Sequence, residues 1–285
     1  AEITAEVNPG VDLTGFLQGF RAAGGNRLSI GMQSADDREL ERLGRRHTAA
    51  QAAEAVAAAR KSGIENISLD LMLGIEGQTV ESARRSAAFC AELGVPHVSA
   101  YLLKIEPRTA FYQRREQLQL PDEDETCSLY EAACEELERH GLMQYEISNF
   151  ARPGFESRHN LKYWHCEEYL GLGPAAHSFL NGKRFYEARD LRAFLAGQAP
   201  EEDADPEMPA GGPEEYAMLA LRLAEGLQEA RYRDRFGEPI PERWKRAAQR
   251  YARVGLTECW PEGFRFTRKG FLVSNALLAE ILYET

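Results

Sequence analysis

Three polar residues lie at the ends of successive apolar stretches near the start of this 285-residue sequence. Glu6, Gln33 and Asp70 belong to the stretches ITAEV, RLSIGMQ and NISLDL, which have the composition of buried β-strands. A helix cap or a loop hydrogen bond would explain one such residue, but three in succession favour a shared site at one edge of a sheet. Arg45, in the segment LGRRH, could bind a ligand carboxylate there through two parallel hydrogen bonds.

A second group of reactive side chains lies between His159 and Trp164, in the segment HNLKYW. It places an imidazole, a phenol and an indole close together, and His165, Cys166 and His177 follow. Two interpretations are open. The segment could be a packed aromatic corner with hydrogen-bonded polar tips. It could also hold a flat aromatic ligand by stacking and by a bond between imidazole and metal.

The elements around the first group predict a parallel sheet. Strand candidates alternate with helix candidates, and the strands are ITAEV, RLSIG, NISLDLM, HVSAYLL and QYEIS. Right-handed crossovers join strands in this order, and parallel barrels place their chemistry at the carboxyl ends of the strands. Five strands are too few for a closed eight-unit barrel. The fold class that we predict is therefore α/β, a partial TIM-type (β/α) barrel that lacks its first units.

The composition along the chain predicts three regions. Residues 1–198 are assigned to the partial barrel, which includes an irregular segment, residues 151–186, that carries HNLKYW. Residues 199–213 are rich in acidic residues and proline and predict a solvated linker. Residues 214–285 combine helix candidates with one strand or wing, FRFTRKGFLV, and predict a small, mainly helical, winged-helix-like domain with a structural or partner-docking role.

Charge and cysteine content exclude several classes of protein. The net charge of −11 argues against a nucleic acid or an anionic membrane surface as partner, because either would need a basic face. No apolar run is long enough to span a membrane. The five cysteines are scattered and odd in number, which indicates reduced thiols and a cytoplasmic location. None has the C-x-x-C or C-x-x-x-C spacing of closely spaced iron–sulfur ligands.

The whole set of motifs resembles a known family. The segments AEVNPG, NRLSIGMQS, LGRRH, NISLDLMLGIEGQT, YEISNFARPG, SRHNLKYW and YLGLGPAAHSF are similar to those of the radical S-adenosylmethionine (SAM) family of oxygen-independent coproporphyrinogen III oxidases. The similarity is greatest to the heme chaperone (HemW-type) branch and runs over essentially the whole chain. It implies that Glu6, Gln33, Arg45 and Asp70 bind SAM at the strand ends, and that Lys104 adds a further contact there.

The resemblance also assigns a role to the second group. The HNxxYW motif separates the heme chaperone branch from the decarboxylase branch, and it is complete here as His159, Asn160, Tyr163 and Trp164. The resemblance implies that these residues bind heme and that His159 is the iron ligand. The family's C-x-x-x-C-x-x-C motif, which holds a [4Fe-4S] cluster, and its glycine-rich cofactor motif are absent. We expect both to precede Ala1 in the intact protein, and we expect this chain alone to be inactive as an enzyme.

Three functions are compatible with these observations. The first is a heme-binding and heme-transfer protein, whose partners would be heme or a porphyrinogen and a heme-acceptor protein. The second is an oxygen-independent coproporphyrinogen III oxidase, a radical SAM oxidoreductase that makes protoporphyrinogen IX. The third is an inactive fragment with a partner-docking domain. The complete HNLKYW segment favours the first function over the second.

Overall fold

The computed structural model describes residues 1–107, 109–205 and 208–283. The chain divides into two compact units, Ala1–Glu156 and Ser157–Thr285. This division places the HNLKYW segment with the C-terminal residues, whereas the sequence pattern suggested a barrel region that continues to residue 198. In the described ranges, no helix has both the length and the apolar character that crossing a bilayer requires.

The first unit is built on one six-stranded sheet, with the strand order β1-β2-β3-β4-β6-β5. Its strands are Thr4–Val7 (β1), Arg27–Gln33 (β2), Asn66–Leu73 (β3), His97–Leu102 (β4), Met143–Gln144 (β5) and Asn149–Ala151 (β6). Strands β1 to β4 are parallel to one another, while β6 is antiparallel to both β4 and β5. The four parallel strands with helical crossovers confirm the predicted α/β class.

The first unit has six α-helices among its described residues. They are Thr14–Ala22 (α1), Asp37–Arg42 (α2), Ala49–Lys61 (α3), Val80–Glu92 (α4), Ala110–Gln113 (α5) and Glu123–Arg139 (α6). Of these, α3, α4 and α6 pack against the strands of this sheet. Capping boxes at Thr48, Thr79 and Asp122 fix where three of them begin, because each cap and the side chain three residues later satisfy each other's backbone N–H groups. Apolar residues of β2 and β3, such as Leu28 and Leu69, are fully buried.

The prediction of QYEIS as a fifth parallel strand is wrong. Of this segment only Gln144 belongs to a strand, β5, while Glu146 forms a single bridge, and the chain reverses direction between β5 and β6. The Glu146 carboxylate accepts a hydrogen bond from the backbone N–H of Ser148 at 3.2 Å, and such local bonds compete with extended pairing. The Tyr145 hydroxyl is hydrogen-bonded to the His97 imidazole of β4 at 2.9 Å. The turn is therefore tied to the interior face of the sheet.

The second unit contains two small antiparallel sheets and seven helices among its described residues. One sheet has the strands His177–Leu180 (β7), Lys183–Tyr186 (β8) and Glu201–Glu202 (β9), and the other has Leu227–Gln228 (β10), Thr257–Trp260 (β11) and Gly263–Phe266 (β12). The helices are Arg158–Trp164 (α7), Leu191–Leu195 (α8), Pro213–Ala220 (α9), Glu229–Phe236 (α10), Glu242–Ala252 (α11), Arg268–Leu272 (α12) and Ser274–Tyr283 (α13). Helices α9 to α11 with the β11–β12 hairpin form the predicted winged-helix-like arrangement.

Two details of the second unit differ from the sequence pattern. Within the predicted linker, Glu201 and Glu202 form β9 and pair with β8; Pro206 and Glu207 of that linker lie outside the described residues. The segment FRFTRKGFLV is a strand only as far as Phe266. Helix α12 follows because the Thr267 hydroxyl accepts a hydrogen bond from the N–H of Gly270 at 3.1 Å and caps it.

Candidate functional site

The face of the first sheet opposite its apolar residues carries polar side chains at alternate positions. Because successive strand residues point to opposite faces, residues in register on neighbouring strands share this interior face. Two such rows are Glu6, Ser29 and Ser68, and Asp70, Ser99 and Asn149. Branched apolar residues usually fill the interior of a parallel barrel. A polar interior suits a polar ligand instead.

Asp70 lies in the middle of this polar face. Its Oδ1 accepts a hydrogen bond from the Ser29 hydroxyl at 3.0 Å. Burial raises the pKa of Asp70 to about 6, against the opposing effect of hydrogen bonds from Ser29 and Ser99, and the nearby Glu6 carboxylate adds to the increase. Asp70 is thus ionised at neutral pH at a cost in folding free energy. A cation or a hydroxyl group of a ligand would compensate for that cost.

Gln33, Asn8 and Arg45 form a second cluster at the end of β2. Gln33 is 7% exposed, has a left-handed backbone (φ 71°) and lies where the register with β3 shifts. A Cβ on Gly31 would come within 3.0 Å of Gln33 Nε2 and 3.4 Å of Asn8 Oδ1, so both amides approach the backbone at this glycine. Arg45 Nη1 donates to Asn8 Oδ1 at 2.9 Å. The cluster therefore combines amide groups with a guanidinium.

Of the five residues assigned to SAM, Glu6 and Asp70 lie on the polar face of the sheet, while Gln33 at the end of β2 lies near Arg45 of the loop between α2 and α3. Lys104 follows β4, its side chain is 83% exposed, and it pairs with Glu106 at 2.9 Å. Sequence reasoning missed Asn8, Ser29 and Ser99. The signal that could have found the two serines is the alternation of polar and apolar residues within β2 and β4, which marks a strand with a polar face.

The HNLKYW segment forms the short helix α7. The Ser157 hydroxyl caps its start by accepting a hydrogen bond from the N–H of Asn160 at 3.4 Å. At its end, Cys166 has a left-handed backbone (φ 53°), and the N–H groups of Cys166 and Glu167 bond back to carbonyls of the last turn. This is a Schellman ending, which normally uses glycine. The helix is fixed at both ends.

The four motif residues occupy two adjacent stripes of α7. His159 and Tyr163 are one turn apart, and a hydrogen bond of 2.8 Å joins His159 Nε2 to the Tyr163 hydroxyl. The two rings meet edge to face at 4.9 Å, and Tyr163 meets Tyr169 in the same way at 4.5 Å. His159 is exposed, whereas Asn160, Tyr163 and Trp164 are half-buried. Burial, with a contribution from Tyr169, raises the pKa of Tyr163.

A charged cluster holds the residue after α7. His165 Nε2 is hydrogen-bonded to the Glu225 carboxylate at 2.9 Å, and Arg231 bonds to the same carboxylate oxygen. The hydrogen bond from His165 is the largest cause of the lowered pKa of Glu225. The cluster ties the end of α7 to the segment before β10. Sequence reasoning noted His165 but had no signal for Glu225 and Arg231, which lie about 60 residues away along the chain.

The described residues offer no ready-made metal centre. No group of three or more histidine, cysteine, aspartate or glutamate side chains among them could hold a metal ion. All five cysteines are free thiols: Cys90, Cys127, Cys134, Cys166 and Cys259.

Comparison with known proteins gives a consistent result. The family model of the radical SAM superfamily matches residues 1–90, and that of the HemN C-terminal domain matches residues 213–273. The heme chaperone HemW of Bacillus subtilis is 33% identical over 290 residues, which covers 100% of this chain and 76% of the relative. The heme chaperone HemW of Escherichia coli is 36% identical over 293 residues, with coverage of 100% and 75%.

A solved structure supports the fold independently. The structure of coproporphyrinogen III oxidase (HemN) from Escherichia coli, a radical SAM enzyme, superposes with a TM-score of 0.79 and covers 99% of this chain and 70% of that chain. The sequence identity is 19%, so the match concerns the fold alone.

Proposed function

Because this chain belongs to the HemW heme chaperone family of radical SAM proteins, we propose that it binds heme and passes it to an acceptor protein. The observation that carries this proposal is helix α7. Its exposed imidazole at His159 lies against the half-buried phenol of Tyr163, and the half-buried indole of Trp164 lies on the adjacent stripe of the same helix. An accessible imidazole beside aromatic rings can bind an iron porphyrin through the metal and through its flat face.

In this proposal His159 is the iron ligand. Its Nε2 is hydrogen-bonded to the Tyr163 hydroxyl, so a bond from this nitrogen to iron replaces that hydrogen bond. The Tyr163 hydroxyl then competes with iron for this nitrogen, and it keeps the imidazole oriented while heme is absent. Asn160 and Trp164, on the adjacent stripe of α7, contribute an amide and an indole to the heme site. The two fixed ends of the helix hold all four side chains in one arrangement.

We propose SAM as the ligand of the polar rim in the first unit. The carboxylates of Glu6 and Asp70 suit hydroxyl and ammonium groups, the guanidinium of Arg45 suits a carboxylate, and the Gln33 amide can donate and accept. Lys104 stays a further predicted contact. SAM, when bound together with a [4Fe-4S] cluster, supplies the radical chemistry of the family. No step of the heme function proposed here passes through the cluster.

The cytoplasm is the location that we propose, because all five cysteines are free thiols and a reducing compartment keeps thiols in that state. The acceptor for heme in this proposal is another protein.

The test is a heme titration of this chain followed by Soret absorbance, with His159→Ala beside the wild type. We expect saturable binding by the wild type, and at least a tenfold loss of affinity or a displaced Soret maximum in the variant. The matched control is His140→Ala, which removes a half-exposed histidine next to α6 and should leave the titration unchanged. An unchanged spectrum in His159→Ala would remove His159 from the ligand role. Decarboxylated porphyrinogen as a product would instead favour the oxidase function.

A further inference from the structure

Arg27, the first residue of β2, is a buried cation without a counterion in the part of the chain that the structure describes. The residue is 4% exposed, and its Nε is fully buried with no hydrogen-bond partner among the described residues. No carboxylate of the described residues lies within ion-pair distance of its guanidinium. Transfer of an unpaired charge from water to a protein interior is among the largest single costs in folding. A buried, unpaired guanidinium with this folding cost is therefore a candidate binding group for an anionic ligand.

The guanidinium of Arg27 points to the polar interior face of the first sheet. Arg27 and Ser29 have the same parity on β2, and the Ser29 hydroxyl bonds to Asp70 on this face. The charge of Arg27 lowers the pKa of both Asp70 and His97, although burial is the larger influence on each. The register from Ser29 through Ser68 to His97, together with the contact of Ser29 with Asp70, places these side chains on the same side of the sheet as Arg27.

The neighbours of Arg27 do not supply an acceptor. His97 is fully buried, and both of its ring nitrogens are engaged, Nδ1 with the Ser68 hydroxyl at 2.7 Å and Nε2 with the Tyr145 hydroxyl at 2.9 Å. Burial lowers the pKa of His97 to about 3, so the ring is neutral and adds no charge. Asp70 lies close enough for its pKa to respond to Arg27, but it forms no ion pair with it.

A second unsatisfied group lies beside Arg27. Asn66, the first residue of β3, is the register partner of Arg27 in the parallel ladder. Its Oδ1 is also fully buried without a hydrogen-bond partner among the described residues. Two adjacent strands therefore present unmatched donors on a guanidinium and an unmatched acceptor on an amide. The acceptor indicates that the missing partner carries a hydrogen-bond donor as well as a negative charge.

We propose that Arg27 and Asn66 form a binding site for an oxoanion that bears a hydroxyl group. The guanidinium would bind two oxygens of the anion through parallel hydrogen bonds, as it does with carboxylate and phosphate. The Asn66 carbonyl oxygen would accept the hydroxyl hydrogen. Two small molecules have this chemistry, the hydrogenphosphate ion and a 2-hydroxycarboxylate such as glycolate. The site lies in the first unit and is independent of the heme proposal.

The experiment measures thermal unfolding of the full chain by far-UV circular dichroism. Inorganic phosphate, glycolate and acetate are titrated separately against sodium chloride of equal ionic strength. Phosphate or glycolate at ten times its dissociation constant should raise the Tm by about 3 °C, and the rise should saturate. Acetate, which lacks the hydroxyl, should raise it less. A saturable rise with phosphate identifies a phosphate ligand, and one with glycolate identifies a hydroxy acid. No saturable rise with either anion overturns the proposal.

Two variants localise the effect. Arg27→Met keeps most of the side-chain length without the charge and should abolish the rise, while Arg27→Lys should keep the charge and lose most of the affinity. A full rise in Arg27→Met overturns the proposal. If that variant does not fold, the Nε–H resonance of Arg27 in the ¹⁵N-labelled wild type gives the answer, since it should move during titration with the active anion. A resonance that does not move counts against the site. Heme titration of Arg27→Met should match the wild type, which separates this test from that of the heme proposal.

Discussion

Replacing Asp70 by asparagine should stabilise the protein while it weakens SAM binding. Burial raises the pKa of Asp70 from 3.8 to about 6 in the folded state. A carboxyl group with a raised folded pKa is harder to ionise in the folded than in the unfolded chain. The contribution of this group to stability is therefore most favourable below pH 3.8. It decreases as the pH rises and becomes constant above about pH 6, where Asp70 is ionised in the folded state as well. The substituted amide carries no charge at any of these pH values, so the variant loses this dependence.

The size of the effect follows from the two pKa values. At about 1.4 kcal/mol for each pKa unit, the charge of Asp70 costs about 3 kcal/mol of unfolding free energy at pH 7.5. The same relation gives a cost of about 1 kcal/mol at pH 4.5. Asp70→Asn should therefore be more stable than the wild type by these amounts at the two pH values. Asparagine can still accept the hydrogen bond that Ser29 donates, so little is lost in return.

The assay is urea unfolding followed by far-UV circular dichroism at pH 7.5 and pH 4.5. The control is Glu41→Gln, which removes the same charge from an exposed position on α2 and should change stability little at either pH. Calorimetric titration of Asp70→Asn with SAM at pH 7.5 should show an affinity lower than that of the wild type by a factor of roughly 10 to 100. This factor corresponds to the free energy of one hydrogen bond to a charged group. A variant that is less stable than the wild type at pH 7.5, or a gain that does not depend on pH, would refute the reasoning.

Three further variants test the second unit, and all can use fluorescence because the three tryptophans lie within it. Tyr163→Phe removes the hydroxyl that competes for the imidazole and should tighten heme binding about fivefold in the Soret titration; weaker binding would show that the phenol itself contacts heme. Glu215→Leu leaves the guanidinium of Arg184, bound at 2.8 Å, without its buried partner and should lower the unfolding free energy in urea by roughly 3 kcal/mol. Gly226→Ala should lower the unfolding free energy by well over the roughly 1 kcal/mol expected for Gly237→Ala in the same assay, because both glycines have positive φ but only a Cβ at Gly226 would meet backbone, the carbonyl oxygen of Phe264; equal losses would contradict this.

The parallel part of the fold could be predicted from the sequence because its signals are local. Thr48 and Gln51 form the capping box that their spacing predicts, and the apolar stretches around Gln33 and Asp70 are the strands β2 and β3. The strand prediction for QYEIS was wrong because alternation of polar and apolar residues fits a turn of this composition equally well. The chain reverses direction between β5 and β6 at this segment, and residue propensities do not distinguish such a reversal from a continuing strand.

The candidate site could be predicted only in part. Residue types and strand ends identify Asp70 and Gln33, but the left-handed backbone of Gln33 has no signal in a residue that is not glycine. The hydrogen bond of His165 with Glu225 joins residues that are distant in sequence, so only the folded chain brings them together. The roles of Lys104 and of the four HNxxYW residues stay predictions that the heme and SAM titrations must decide.

The interior of the first unit carries opposite charges that are not matched to each other. Asp70 and Arg27 both lie on the polar face of the sheet, close enough for Arg27 to lower the pKa of Asp70, yet they form no ion pair. Direct pairing would relieve the cost of burying both charges. A hydroxyl or ammonium group bound at Asp70, and an anion bound at Arg27, would each supply the partner that the other residue does not provide. Each buried charge lowers the unfolding free energy of the ligand-free protein. A ligand that pairs with the charge raises the unfolding free energy again, because it binds the folded state and not the unfolded state.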